Sequence, residues 1–178
     1  MAILPIFKYP DSILRKKTEP VTEFGPELAE LICNMAATMY DAPGVGLAAP
    51  QIGLSKQVIV FDAAPEEERG NPTALINPKI TRAEGEEFGE EGCLSVREFC
   101  AQVKRATRIV VEALDPEGNP LTIEAEDWLA RIIQHEMDHL NGILFIDHLS
   151  SLKRSLYKKK LKKLLLAEKL EKEQEASR

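Results

Sequence analysis

Apolar residues recur at spacings of three and four near the start of the chain, which predicts an amphipathic helix over residues 26–40. The apolar positions of this helix are Leu28, Leu31, Ile32, Met35 and Met39. Cys33 lies in the same stretch, and we expect it to be buried in the core. A second helix is predicted over 127–140, because acidic residues stand at its start and Gly142 follows its end. A third, rich in Lys, Leu and Glu, is predicted over 150–175.

Runs of β-branched and apolar residues predict four strands, over 57–62, 74–80, 108–114 and 121–125. The last two flank Asp115-Pro-Glu-Gly-Asn119, a strong turn sequence, so we expect them to pair as an antiparallel hairpin. Two glycines and a proline within 44–51 predict a shaped loop there. Helices and strands do not alternate regularly, which favours an α+β fold over a parallel sheet.

The composition is that of an ordinary soluble domain. The 178 residues fit one domain, and 44% are hydrophobic and 29% charged. An odd number of cysteines, three, argues against a disulfide scaffold. The chain opens without a secretory signal, and no apolar run approaches the ~20 residues that a membrane span needs. We therefore expect a cytoplasmic protein with no membrane segment.

Charge divides the chain into two parts. The net charge is −6, yet one segment carries seven basic residues and no acidic ones: Lys153, Arg154, Lys158, Lys159, Lys160, Lys162 and Lys163. The remainder holds 16 basic against 29 acidic residues. We expect residues 1–150 to form a single catalytic domain and 151–178 a charged helix or tail, with an anionic partner for the tail alone.

The sequence His135-Glu-Met-Asp-His139 is the strongest chemical signal. On a helix, residues four apart lie on one face with Cβ atoms about 5–6 Å apart, so two imidazoles can hold one ion. Glu136 can then act on water at that ion without being a ligand, which is the arrangement of a metal-dependent hydrolase. The alternative is the polar face of a surface helix.

A catalytic ion usually takes three protein ligands, and the sequence offers several candidates for the third. The protease pattern with a further histidine six residues after the second fails, because Phe145 stands there. His148, Glu168 and Glu171 stay open, as does Cys93, whose thiolate suits zinc or iron. Taken alone, Cys93 is more typical of a small buried residue in a loop.

The segment 44–51 lacks the spacing of a phosphate-binding loop and follows a helix rather than a strand. It can bring bare backbone close to a ligand and present the amide of Gln51. Such an amide can donate to a developing oxyanion. A tight connection in which Gln51 only caps the backbone is the alternative.

Three segments in this order resemble the peptide deformylase family. They are Gly44-Val-Gly-Leu-Ala-Ala-Pro-Gln51, Glu91-Gly-Cys-Leu-Ser95 and Gln134-His-Glu-Met-Asp-His-Leu-Asn-Gly142. The similarity runs over about residues 10–150. The resemblance implies antiparallel sheets packed around a central helix that carries the histidines, with an N-terminal helix and a long C-terminal helix.

The resemblance also implies an activity, the removal of the formyl group from formyl-methionyl nascent polypeptides with release of formate. Cys93, His135 and His139 would bind the metal, usually Fe²⁺, with Zn²⁺, Ni²⁺ or Co²⁺ able to replace it. Glu136 would be the general acid and base for attack by activated water, and Gln51 and the N–H of Leu94 would stabilise the oxyanion. The substrate would contact Gly44, Val45, Gly46, Glu91, Gly92, Trp128, Arg131 and Ile132.

The chain departs from the family at three positions. Arg97 stands where proline is common, Cys100 where arginine is common, and Asp127 where glycine is common. The first two put the usual side-chain contact to the substrate backbone in question, for which Arg97 is a candidate replacement. The C-terminal helix of some members docks on the ribosome, so ribosomal contact is one interpretation of the basic tail and a solvated helix face the other.

Two rival functions follow from the same residues. One is a zinc peptidase that uses the two histidines with a different third ligand, and the other is a non-enzymatic ribosome-associated protein with a structural metal. The leading interpretation is a deformylase that acts as a monomer.

Overall fold

The computed structural model describes residues 1–176, which fold into seven strands and three α-helices. The helices are α1 (Pro26–Asp41), α2 (Asp127–Leu140) and α3 (Ser151–Ala176). The strands are β1 (Gly46–Ala48), β2 (Val58–Phe61), β3 (Thr73–Glu84), β4 (Glu87–Cys93), β5 (Val96–Arg105), β6 (Arg108–Leu114) and β7 (Pro120–Glu126). The three predicted helices and four predicted strands are all present.

Two antiparallel sheets make up the β-structure. The larger has the order β1-β2-β3-β6-β7, and the smaller is the β4-β5 pair. Strands β6 and β7 form the predicted hairpin, in register from Arg108 opposite Glu126 to Leu114 opposite Pro120. Helix α2 buries Ala130, Ile132, Ile133 and Leu140 against the larger sheet, so the central helix and the α+β class are confirmed.

The prediction of an irregular loop over 44–51 was wrong in part. Residues Gly46–Ala48 form β1 and pair with β2 at the sheet edge, and Ala49–Ile52 form a 3₁₀ turn. The backbone hydrogen bonds to β2 do not depend on side chains, so glycine is tolerated in a three-residue edge strand.

Strands β4 and β5 were not predicted. Strand β4 reads Glu-Phe-Gly-Glu-Glu-Gly-Cys and lacks the alternation of a half-buried strand. It is stabilised by pairing with β5 over Glu87–Glu91, and a register shift precedes Cys93, so this cysteine ends a strand rather than standing in a loop.

The prediction that Cys33 is buried was also wrong, because it is exposed. Helix α1 packs on the sheet through Leu28, Met35 and Met39. At about 100° per residue, Cys33 points roughly 140° away from Leu28 and 160° away from Met35. It therefore lies on the solvent face despite its apolar neighbours.

Helix α3 packs on the body through Tyr157 and Leu161, which join a core cluster with Leu14 and Phe145. Several of its other large apolar side chains are exposed: Leu152, Leu156, Leu166 and Leu170. Residues 177 and 178 of the predicted tail lie outside the described part of the chain. Within residues 1–176, no helix combines the length and apolar character needed to cross a membrane.

Candidate metal centre and active site

The fold brings together three potential metal ligands from two elements. Helix α2 presents His135 and His139, and Cys93 is the last residue of β4. One ligand atom from each lies within 4.8 Å of the others, and Sγ of Cys93 is 3.2 Å from Nε2 of His139. Among the described residues, this is the group of His, Cys and acidic side chains with metal-site spacing.

The helix supplies the geometry of the two imidazoles. Their ring centroids are 5.2 Å apart at an interplanar angle of 72°, as expected for residues four apart on one face. Phe145 stacks on the ring of His135 with centroids 6.1 Å apart. The residue that broke the protease pattern therefore packs against one of the two histidines.

Glu91 orients His135. Its buried carboxylate accepts from Nδ1 of His135 at 3.0 Å, from Arg105 at 2.9 and 3.0 Å and from Arg131 at 2.9 Å. Burial opposes its charge, but the hydrogen bonds from His135 and Arg105 lower its pKa to about 2. Because ionised Glu91 can only accept, Nδ1 of His135 carries the proton, and Nε2 is the ring nitrogen that could bind a metal ion.

Arg105 connects Glu91 to Asp138, which precedes His139 on α2. Its guanidinium bridges Glu91 and Asp138, which lies 2.6 Å away. Asp138 in turn contacts Nε2 of His148 at 2.7 Å, so His148 is engaged away from the metal ligands. Glu168, another candidate third ligand, pairs with Arg97 at 3.4 Å.

Glu136 is a buried carboxylate next to His135 on α2. It is 4% exposed, and within the described residues its Oε2 has no hydrogen-bond partner. Burial raises its pKa to about 7, against an opposing effect of His135. A Cβ on Gly46 would overlap Oε1 of Glu136, so glycine is required where β1 passes the carboxylate. With a pKa of about 7, both the ionised and the protonated form of Glu136 are accessible near neutrality.

The protonation chemistry of the two histidines fits a cation site. Burial, followed by the charges of His135 and Arg105, lowers the pKa of His139 well below its usual value, so this imidazole is neutral. Burial also disfavours charge on His135, but its hydrogen bonds to Cys93 and Glu91 raise its pKa well above the usual value. A divalent ion at Nε2 of His135 would take the place of the proton that makes this imidazole cationic. One sulfur and two nitrogen donors suit Fe²⁺, Zn²⁺, Ni²⁺ or Co²⁺.

Gln51 is fixed beside the cysteine. Its side chain is almost fully buried, and Oε1 accepts from the N–H of Ala48 at 2.8 Å. Nε2 donates to Oγ of Ser95 at 3.1 Å and lies 3.6 Å from Sγ of Cys93. The amide N–H groups are thereby aimed toward the ligand cluster.

A cavity of about 370 Å³ opens onto this cluster. All eight residues predicted to contact substrate line it: Gly44, Val45, Gly46, Glu91, Gly92, Trp128, Arg131 and Ile132. Arg131 contributes its stem, because its guanidinium donates to Glu91 and to the carbonyl of Val103. Trp128 is half exposed at the rim.

Comparison with known proteins points to one family. A sequence profile described as polypeptide deformylase matches residues 3–155. A peptide deformylase of Thermodesulfovibrio yellowstonii is 52% identical over 162 residues, which cover 91% of this chain and 98% of the relative. The crystal structure of a peptide deformylase from Legionella pneumophila superposes with a TM-score of 0.87 at 46% identity, covering 94% of this chain and 98% of the other.

The chain belongs to the polypeptide deformylase family. A further solved member, the Ehrlichia chaffeensis peptide deformylase in complex with actinonin, superposes with a TM-score of 0.85 at 40% identity, covering 92% of this chain and 98% of the other. The family match extends beyond the histidine motif to the whole fold, so the deformylase interpretation stands over the rival peptidase.

The departures from the deformylase pattern have structural counterparts. Arg97 pairs with Glu168 of α3 and, among the described residues, is not part of the cavity wall. Cys100 is exposed, and its Sγ lies beside Gly92 of the wall. Asp127 has φ +48°, the left-handed conformation for which glycine is the usual residue.

Sequence reasoning missed three residues that support this deformylase site: Arg105, Asp138 and Ser95. Each acts through a partner distant in sequence, such as Arg105 on Asp138, 33 residues away. The sequence offered no signal for Arg105, because strand β5 was not predicted and the burial that makes its charge require partners appears only in the fold.

Proposed function

We propose that this chain hydrolyses the formyl amide of N-formylmethionyl peptides and releases formate and a free amino terminus. The observation that carries the proposal is the convergence of Cys93, His135 and His139 beside the buried carboxylate of Glu136, at the end of a peptide-sized cavity. Family membership supports the same reaction.

The proposed cofactor is one divalent ion held by Cys93, His135 and His139, with Fe²⁺ as the native metal and Zn²⁺, Ni²⁺ or Co²⁺ as substitutes. When bound, such an ion polarises the formyl oxygen and lowers the pKa of water toward about 7. Because an accessible iron–thiolate pair is easily oxidised, we expect the iron form to lose activity in air and the nickel form to keep it. Equal lifetimes of verified iron enzyme with and without oxygen would contradict this choice of metal.

The protein's own groups carry the proton transfers. Glu136, with its pKa near 7, accepts a proton from the attacking water and returns it to the leaving amine. The side-chain amide of Gln51 and the N–H of Leu94 donate to the oxygen that becomes negative. Removing one such donor typically costs about 10²–10³ in rate.

The substrate backbone is proposed to pair with Gly44–Gly46 as an added strand. Support comes from the position of β1 at the end of the larger sheet, because an edge strand offers unpaired backbone groups. The methionine side chain would pack against Val45, Ile132 and Trp128, with the Arg131 stem beside them. Glu91 and Gly92 would form the opposite wall.

The direct test is formate release from formyl-Met-Ala-Ser, with metal content measured on the same sample. Glu136→Gln should retain metal and lose about 10²–10⁴ in kcat, and the exposed Glu112→Gln should behave as wild type. Cys93→Ser should lose metal and activity together, whereas a peptidase with another third ligand would keep both. A metal-replete wild type that releases no formate would overturn the proposal.

We propose that residues 1–150 form the catalytic unit and that the basic tail contacts ribosomal RNA. We also propose that the enzyme is a monomer and is located in the cytoplasm. Support comes from the six exposed lysines in the basic segment of α3: Lys153, Lys158, Lys159, Lys160, Lys162 and Lys163. Reversing three of these charges should abolish salt-sensitive co-sedimentation with ribosomes and leave tripeptide turnover unchanged. Ribosome binding that is unaffected by the reversal would contradict this contact, and sedimentation equilibrium tests the monomer.

A further inference from the structure

The N-terminal segment before α1 contacts both loops that build the active site. The N–H of Phe7 donates to the carbonyl of Gln51 at 2.7 Å, and the N–H of Tyr9 donates to the carbonyl of Ser95 at 2.8 Å. These bonds attach the Gln51 turn and the Cys93 turn to one short stretch of backbone. The residue between them, Lys8, is thereby held against the metal-ligand turn.

The side chain of Lys8 adds a third contact of a different kind. Its half-buried ammonium donates to the carbonyl of Leu94 at 2.5 Å, across 86 residues of sequence. The same peptide unit carries the N–H of Ser95, which donates to Sγ of Cys93 at 3.4 Å. The Leu94–Ser95 peptide unit therefore lies between the Lys8 ammonium at its carbonyl oxygen and the Cys93 sulfur at its N–H.

Hydrogen bonds in such a chain strengthen one another. A positive charge on the carbonyl oxygen draws electron density from the amide, which makes its N–H a better donor. A stronger N–H bond removes charge from the cysteine sulfur and holds the turn in one orientation. Groups that orient and tune metal ligands in this way commonly matter nearly as much as the ligands.

We propose that Lys8 is a positioning residue of the metal centre. It orients and polarises the Leu94–Ser95 peptide, and so sets the donor strength of the Cys93 sulfur. The proposal rests on the proposed role of Cys93 as a metal ligand, and it extends the site to a residue of the N-terminal segment.

The experiment uses the full chain loaded with Co²⁺, whose thiolate-to-metal charge-transfer band reports on the sulfur. Lys8→Met removes the charge and keeps most of the stem, Lys8→Arg keeps the charge, and Lys17→Met is the matched control at an exposed position of the same segment. Band position, Co²⁺ affinity, kcat and KM are measured on all four proteins, with thermal unfolding of each.

In Lys8→Met we expect the band to move to longer wavelength, because a more electron-rich thiolate is easier to oxidise. Co²⁺ affinity should fall about tenfold, the lower end of what loss of a ligand-orienting group costs. The loss in turnover should appear in kcat with KM nearly unchanged, since the cavity wall is intact. Lys8→Arg should restore the band, and Lys17→Met should leave it unaltered.

Two results would overturn the proposal in distinguishable ways. If the charge-transfer band of Lys8→Met lies at the wild-type wavelength and only the melting temperature is lower, Lys8 is a structural contact. The metal assignment would then stand. A wild-type Co²⁺ protein without any thiolate band would remove Cys93 from the metal, and the Lys8 proposal with it.

Discussion

Replacement of Glu91 by glutamine tests the physical account of the site most directly. The Glu91 carboxylate accepts hydrogen bonds from three basic side chains, His135, Arg105 and Arg131. Glutamine has nearly the same shape but is neutral, and its NH₂ group must face at least one donor. The change therefore leaves two buried arginines short of a counter-charge without opening a cavity.

The magnitude follows from the pKa of Glu91, which is lowered from 4.5 to about 2. Each unit corresponds to about 1.36 kcal/mol, so the carboxylate contributes roughly 3 kcal/mol to the free energy of unfolding near neutrality. Loss of one partner from a buried ion pair independently predicts a cost of about 3–5 kcal/mol. Because the folded-state pKa is depressed, this contribution is complete above pH 4.5 and is lost as the pH falls toward 2.

The assay is guanidinium unfolding of metal-free wild type, Glu91→Gln and the exposed control Glu112→Gln across a pH series. Glu91→Gln should be less stable by about 3 kcal/mol near neutral pH, and the difference should shrink below pH 4.5. Metal affinity should fall about 10–100-fold, because His135 loses its orienting acceptor. A neutral-pH difference within about 0.5 kcal/mol, or one that persists undiminished in acid, would refute the reasoning.

Three further changes are expected to behave as follows. Gly46→Ala should reduce kcat/KM at least about 100-fold, because the added Cβ would overlap Glu136 and displacing a catalytic group typically costs this much rate. Gly25→Ala is the kinetic control, because a Cβ at that position meets open space. Asp127→Gly should raise the free energy of unfolding by about 0.5–1 kcal/mol, because glycine adopts a positive φ without the strain of a side chain. A lower melting temperature would contradict this. Cys33→Ser should change unfolding stability by less than about 0.5 kcal/mol, since a buried cysteine would cost more.

Local sequence was sufficient for the helices, the β6–β7 hairpin and the helix-borne half of the site. Helical periodicity and turn residues act within a few positions, so α1, α2 and α3 could be predicted with nearly their observed bounds. The spacing of His135 and His139 placed both imidazoles on one face for the same reason. The proposed third ligand, Cys93, was identified from the resemblance to a family, because nothing in its own neighbourhood distinguishes a ligand from a small core residue.

Tertiary structure decided everything that depends on partners far along the chain. Strands β1 and β4 exist because β2 and β5 complete their hydrogen bonds, and their own glycines and glutamates give no strand pattern. Cys33 faces water because the packing of α1 selects one of its faces. Arg105 and Lys8 meet Asp138 and Leu94 only in the folded chain, because these partners are distant in sequence.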